Sequence, residues 1–175
     1  TMPLCRRLNG LGASGRKPTS MRAPSFPVFA ALMALAVPAT AQDREVPYWA
    51  SIRASELNMR VGPSADYKIA WVYHRAGLPV RVLRVMEGWR LIEDPDGEKG
   101  WVVARLLSPD RTAIVTEGSP AAMRAAPDSS SEVKWRLEAG VTGALGECSS
   151  GWCELQLDDR SGWVEESRLW GDDED

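Results

Sequence analysis

The side chains able to make or break bonds are few. His74 is the sole histidine among 175 residues, and the chain has three cysteines, Cys5, Cys148 and Cys153. A thiolate nucleophile needs a neighbouring base to activate it. Cys148 and Cys153 bracket Ser149-Ser150-Gly151-Trp152, and two antiparallel strands around such a turn would oppose them with Cα atoms about 5.5 Å apart, within reach of a disulfide. A bridge is therefore expected, worth about 2 kcal/mol by loop closure. A redox dithiol would want a C-x-x-C at a helix start, and a metal site would need two further ligands that His74 alone does not supply. With both thiols used, His74 has no sulfur to activate. Asp94-Pro95-Asp96 and Asp158-Asp159 are the carboxylate pairs that could share general acid and base roles. They fall in turn sequences, where Asp is favoured for its hydrogen bonding to backbone. A hydrolase using Asp94 or Asp96 stays only as an alternative. The tail Gly171-Asp172-Asp173-Glu174-Asp175 gathers four carboxylates, but without an ordering loop they make a poor Ca²⁺ site. No catalytic residue, metal or cofactor is expected.

Stacking is the chemistry that remains. Tyr67, Trp71 and Tyr73 lie close together, and flat faces of this kind can stack on sugar rings or clasp an extended peptide. These three are the ligand-binding candidates; packing between two halves of the molecule is the competing role. Trp89, Trp101, Trp152 and Trp163 each follow a glycine directly, and filling or edging a small core is favoured for them. Arg60 and Arg124 each follow Met59 and Met123, where hydrogen bonding to loop carbonyls is favoured over ligand contact.

Charge and the N-terminus set the compartment. The first 41 residues hold Arg6, Arg7, Arg16, Lys17 and Arg22 and no acid, so residues 42–175 carry a net charge of -8. An acidic body lacks the Lys/Arg footprint that neutralises phosphates, which argues against nucleic acid as a partner. From Met21 the chain runs through Arg22, an apolar stretch Phe26–Val37, Pro38 and Ala39-Thr40-Ala41. A basic start, an apolar middle and a small-x-small end are the parts of a secretory signal, with cleavage expected before Gln42. The stretch is short of the roughly 20 apolar residues that span a bilayer, so no membrane span is expected after cleavage. Residues 1–41 are read as an upstream extension plus signal peptide, and the location as periplasmic or secreted.

The elements that must position the aromatics repeat. Met59-Arg60-Val61-Gly62-Pro63 lies over Met123-Arg124-Ala125-Ala126-Pro127 at an offset of 64, as does Trp71 over Trp135. Gly88-Trp89 meets Gly151-Trp152 at 63, and Gly100-Trp101-Val102 meets Gly162-Trp163-Val164 at 62. Two copies of one module are thus present. Within each, short runs of apolar residues at a period of two, such as Val80–Val85 and Trp89–Ile92, are cut by Gly, Pro and Asp turns, a pattern of antiparallel strands. So small a sheet must curl to bury one face. The expected organisation is all-β, with two tandem five-stranded barrels: a linker 42–51, a first barrel 52–110, a linker 111–119, a second barrel 120–170 and an acidic tail 171–175. The aromatics Trp49, Tyr67, Trp71, Tyr73 and Trp135 fall before the regular strands, in the opening loop or its flank.

Leu57-Asn58-Met59-Arg60-Val61-Gly62-Pro63-Ser64, with Gly77, Gly88-Trp89 and Gly100-Trp101-Val102, resembles the bacterial SH3 (SH3b-like) family, whose units open on L-N-x-R-x-G-P-S and close on G-W-V. The second copy departs from that pattern, with Ala121-Ala122 in place of Leu57-Asn58 and Ala126 in place of Gly62. The Cys148–Cys153 pair is similar to that of exported proteins with tandem SH3-like units. The resemblance implies SH3-like barrels, no catalysis, and, as for modules attached to cell-wall hydrolases, binding of peptidoglycan. The expected partner is a peptidoglycan fragment or an envelope protein or peptide, with an envelope scaffold lacking a ligand groove as the alternative.

Overall fold

A computed structural model describes residues 44–172. The expected leader, residues 1–41, lies outside the described residues. Fourteen strands and two single 3-10 turns, Ala104–Leu106 and Glu166–Arg168, make up the regular structure, with no α-helix among the described residues. The first seven strands are β1 (Tyr48–Ile52), β2 (Leu57–Arg60), β3 (Ile69–Tyr73), β4 (Pro79–Met86), β5 (Trp89–Glu93), β6 (Lys99–Val103) and β7 (Leu107–Ser108). They form one sheet in the order β3-β2-β6-β5-β4-β1-β7. The second seven are β8 (Thr112–Val115), β9 (Ala121–Arg124), β10 (Val133–Leu137), β11 (Thr142–Ser149), β12 (Trp152–Leu157), β13 (Arg160–Glu165) and β14 (Leu169–Trp170). Their order is β10-β9-β13-β12-β11-β8-β14. The two orders are the same permutation, as the internal repeat requires, and all the pairings are antiparallel.

Each sheet curls around its own core because alternate residues along its strands are apolar. Val80, Val82, Ile92 and Val102 are fully buried in the first, with Ile52, Leu57 and Met59 beside them. Ala113, Met123, Cys153, Leu155 and Val164 hold the same place in the second. Gly77 and Gly140 lead into β4 and β11 at φ of 80° and 83°, a left-handed conformation that glycine adopts without steric cost. Cys148 and Cys153 face each other across β11 and β12 and are joined by a 2.01 Å S–S bond, with their Cα atoms 4.0 Å apart. The bridge ties an exposed strand end to a cysteine buried in the second core.

Two expectations need correction. The segments 42–51 and 111–119, read as linkers, each supply a strand: β1 pairs with β4, and β8 with β11. Without them the long strands β4 and β11 would leave part of their backbone hydrogen-bonding edge unpaired. The opening-loop aromatics Trp71, Tyr73 and Trp135 sit on strands β3 and β10, and Trp49 sits on β1. The interiors themselves are filled largely by aliphatic residues and methionine, and of the four tryptophans that follow glycine Trp101 is buried at 9% exposure while Trp89, Trp152 and Trp163 are half-buried, as expected for residues that edge a small core.

The barrels meet through β1, β8 and β14. Trp49 and Trp170 pack edge to face with centroids 4.7 Å apart. Ile114 of β8 packs against the first core.

Candidate functional site

The segment between β2 and β3 is built the same way in both copies. Arg60 Nη1 donates to the Tyr67 carbonyl at 2.6 Å, and Arg124 Nη1 to the Ser131 carbonyl at 2.6 Å. The backbone bonds Val61 to Lys68, Ser64 to Gly62 and Tyr67 to Ser64 recur as Ala125 to Glu132, Asp128 to Ala126 and Ser131 to Asp128. The recurring arginine thus closes a loop rather than reaching for a ligand. At the tip, Ser64 Oγ accepts from the Asp66 N–H, while in the second copy Asp128 Oδ1 accepts from the Ser130 N–H at 2.7 Å. That backbone bond holds the Asp128 carboxyl below its ordinary range.

On this shared frame the surfaces differ. In the first copy Val61, Tyr67, Ile69 and Trp71 are 62%, 49%, 46% and 60% exposed, an apolar strip along the loop and strand β3. The Tyr67 ring lies over Gly62, where an added Cβ would come within 2.7 Å of the ring carbons. Glycine at 62 is therefore what admits the tyrosine. The second copy has Ala126 and Ser131 at these places, and Ser131 Oγ accepts from the Ala126 N–H at 3.0 Å. Of the strip's large apolar side chains only Trp135 keeps substantial exposure there, 41%, and the Arg160 guanidinium sits 4.3 Å from its ring centroid. No cation covers Trp71 among the described residues.

Of the three candidate residues, Tyr67 and Trp71 come together on the exposed strip and Tyr73 does not. Tyr73 is 7% exposed, packed in the first core. Its hydroxyl donates to Asp94 Oδ2 at 2.8 Å and contacts Met59 Sδ at 3.4 Å. Strand pairing of Tyr73 with Leu57 turns it inward. Burial first, and then the bond to Asp94, push its phenol well above the ordinary range. Asp94 is itself buried, and its Oδ1 accepts from the N–H groups of Asp96 and Glu98 at 3.0 and 2.8 Å. Its carboxylate thus ties the β5–β6 turn to the core. His74 is exposed, 3.6 Å from Glu56.

Sequence reasoning missed Val61 and Ile69 as parts of the strip, and the buried Asp94–Tyr73 bond. The alternation Ile69, Trp71, Tyr73 was the available signal for a strand, masked by the turn residues before it.

The Tyr73–Asp94 bond leads to a measurable result. Tyr73→Phe should cost about 1.5–3 kcal/mol, the range for a hydrogen bond to a charged partner. A raised folded pKa means that this stabilisation is complete below the unfolded tyrosine value of about 10 and is lost as pH rises above it. Urea unfolding at pH 7 and above pH 10 should therefore show the wild type losing stability at alkaline pH more steeply than the variant. Equal slopes would refute the role given to this hydroxyl.

Residues 53–109 and 117–171 each match the family described as Bacterial SH3 domain. Among curated proteins, the chain is 30% identical over 125 residues to the putative N-acetylmuramoyl-L-alanine amidase YrvJ of Bacillus subtilis, covering 66% of this chain and 24% of that protein. The chain thus spans about a quarter of that relative's length. Among solved structures, it is similar to NlpC2 from Trichomonas vaginalis at 10% identity and a TM-score of 0.33, covering 73% of this chain and 49% of the other. It is also similar to an NlpC/P60 family protein from Bacillus cereus at 12% identity and a TM-score of 0.32, covering 70% and 56%.

Proposed function

This chain belongs to the bacterial SH3 domain family, and from that premise we propose that it is an exported, non-catalytic binding protein of the cell envelope that recognises peptidoglycan through the exposed strip of its first barrel. One observation carries the reading: on two copies of the same loop frame, only the first exposes Val61, Tyr67, Ile69 and Trp71 together. An exposed apolar strip of this size on a small soluble fold marks an interaction surface. Trp71 and Tyr67 supply flat faces for a sugar ring or an amide plane. The barrels pack through Trp49 and Trp170 instead, which leaves the strip uncovered.

Three further points favour this reading. The name of the Bacillus subtilis relative specifies the linkage of an N-acetylmuramoyl group to L-alanine. A mature charge of -8 disfavours anionic wall polymers and favours the neutral glycan and the peptides. A non-catalytic role is supported by the use made of two of the reactive groups: both body cysteines are in the bridge, and three donors occupy the Asp94 carboxylate. An envelope protein or peptide as partner is the second reading, favoured by the same strip lying on a sheet edge.

Purified sacculi should pull the protein down from solution, and Trp71→Ala should reduce retention about tenfold, the effect of removing one aromatic anchor. At 60% exposure this position should lose little stability, so an unchanged thermal midpoint is expected. Wild-type protein that stays in the supernatant would exclude peptidoglycan as the ligand.

A further inference from the structure

The second copy shows what its tryptophan position accepts. Trp135 and Trp71 occupy equivalent places, each opposite the methionine of the neighbouring strand: Trp71 faces Met59, and Trp135 faces Met123. In the second barrel the occupant is internal, the Arg160 guanidinium at 4.3 Å. Arg160 opens β13, paired with Leu157. In the first barrel the same register position, one residue before β6, is Glu98, whose carbonyl accepts from the Asp94 N–H. A carboxylate therefore stands where the other copy has a cation.

The β5–β6 turn carries the same sign. Asp96 and Glu98 are exposed on the β5–β6 turn, and neither is ion-paired among the described residues. Asp94, Asp96 and Glu98 all act electrostatically on the hydroxyl of Tyr73, two residues along β3 from Trp71. Lys99, next to Glu98, is held by Glu93 at 3.1 Å, while Lys68, three residues before Trp71, is an exposed cation on the strip's own segment. An open indole face, with a glutamate at the register position from which the other copy sends its arginine, suits a positive charge through both the ring quadrupole and Coulomb forces.

We infer that Trp71, with Glu98 and Asp96 as counter-charges, is a receptor for an organic cation: the side-chain ammonium of a diamino acid in a peptide ligand. This deepens the reading above by naming the group that is gripped, the free amine of a peptidoglycan stem peptide, while Tyr67, Ile69 and Val61 contact the adjoining peptide. The second barrel fills the equivalent face with its own Arg160 and has no Tyr67 counterpart, so binding is confined to the first.

The test is a titration of the full chain, followed by tryptophan fluorescence and by chemical shifts of the Trp71 indole. The two probes are a synthetic lysine-containing stem pentapeptide with a free side-chain amine and the same peptide acetylated on that amine. The free peptide should bind about tenfold more tightly. Glu98→Arg installs the residue that caps Trp135 and should abolish the difference, and Glu98→Gln should weaken binding by a smaller factor. Equal affinity for the two peptides, no binding of either, or binding untouched by both Glu98 variants would overturn the inference. Retention on sacculi together with equal peptide affinities would remove the cation site alone. Discrimination between the peptides together with no retention would remove the peptidoglycan reading alone.

Discussion

Alanine in place of Trp49 is expected to cost about 3–5 kcal/mol, the range for emptying a buried tryptophan site. Trp49 is 4% exposed, meets the Trp170 ring at 4.7 Å and 90°, and has the Arg81 guanidinium 5.8 Å from its ring centroid. It belongs to β1 of the first sheet, and Trp170 to β14 of the second, so the loss falls on the contact that couples the barrels. Single domains of this size unfold in one cooperative step. Removing the coupling should therefore broaden or split the transition as well as lower it. Urea unfolding followed by far-UV circular dichroism gives both quantities, and a single sharp transition shifted by less than about 1 kcal/mol would refute the coupling role.

Gly162→Ala should cost about 3 kcal/mol, at the upper end for overpacking by one carbon. A Cβ at this position would lie 2.7 Å from the Arg124 carbonyl oxygen and 2.6 Å from Met123 Cγ. The methionine side chain can swing away. The carbonyl cannot, because Arg124 is paired with Trp163 of β13 and its strand would have to move off the ladder. Gly88→Ala is the control: nothing lies within 4 Å of its added Cβ, and a change within about 0.5 kcal/mol is expected. Comparable losses at the two positions would refute the close approach of β9 to β13 as the reason for glycine at 162, since the unfolded-chain effect of Gly→Ala is stabilising.

Much of this architecture is legible in the sequence because it is written twice. The Met-Arg, Gly-Trp and Gly-Trp-Val signatures recur, and with them the curled antiparallel sheets, the closing turns at Ala104–Leu106 and Glu166–Arg168, and the loop-closing roles of Arg60 and Arg124. The disulfide followed from two cysteines flanking a turn. What stayed hidden depends on long-range pairing. β1 and β8 are short, lie beside Pro47 and Pro109, and become strands only because β4 and β11 have edges to complete. Tyr73 reads like Trp71 in composition, but the register that places it opposite Leu57 sends it into the core, and the acceptor for its hydroxyl lies on a distant turn. The cation over Trp135 comes from a hairpin on the far side of its sheet edge, a proximity that no local pattern encodes.

The strand bearing the strip ends its sheet, and in this the two barrels again differ. β10 carries Lys134 and Arg136, the kind of charge that discourages a second strand from adding on; β3, Ile69-Ala70-Trp71-Val72-Tyr73, carries none. Of these two equivalent margins, the molecule leaves one unguarded. Two molecules that join through that margin use it up in a closed two-fold pair, whereas a chain with both margins open would add copies without end and grow into filaments.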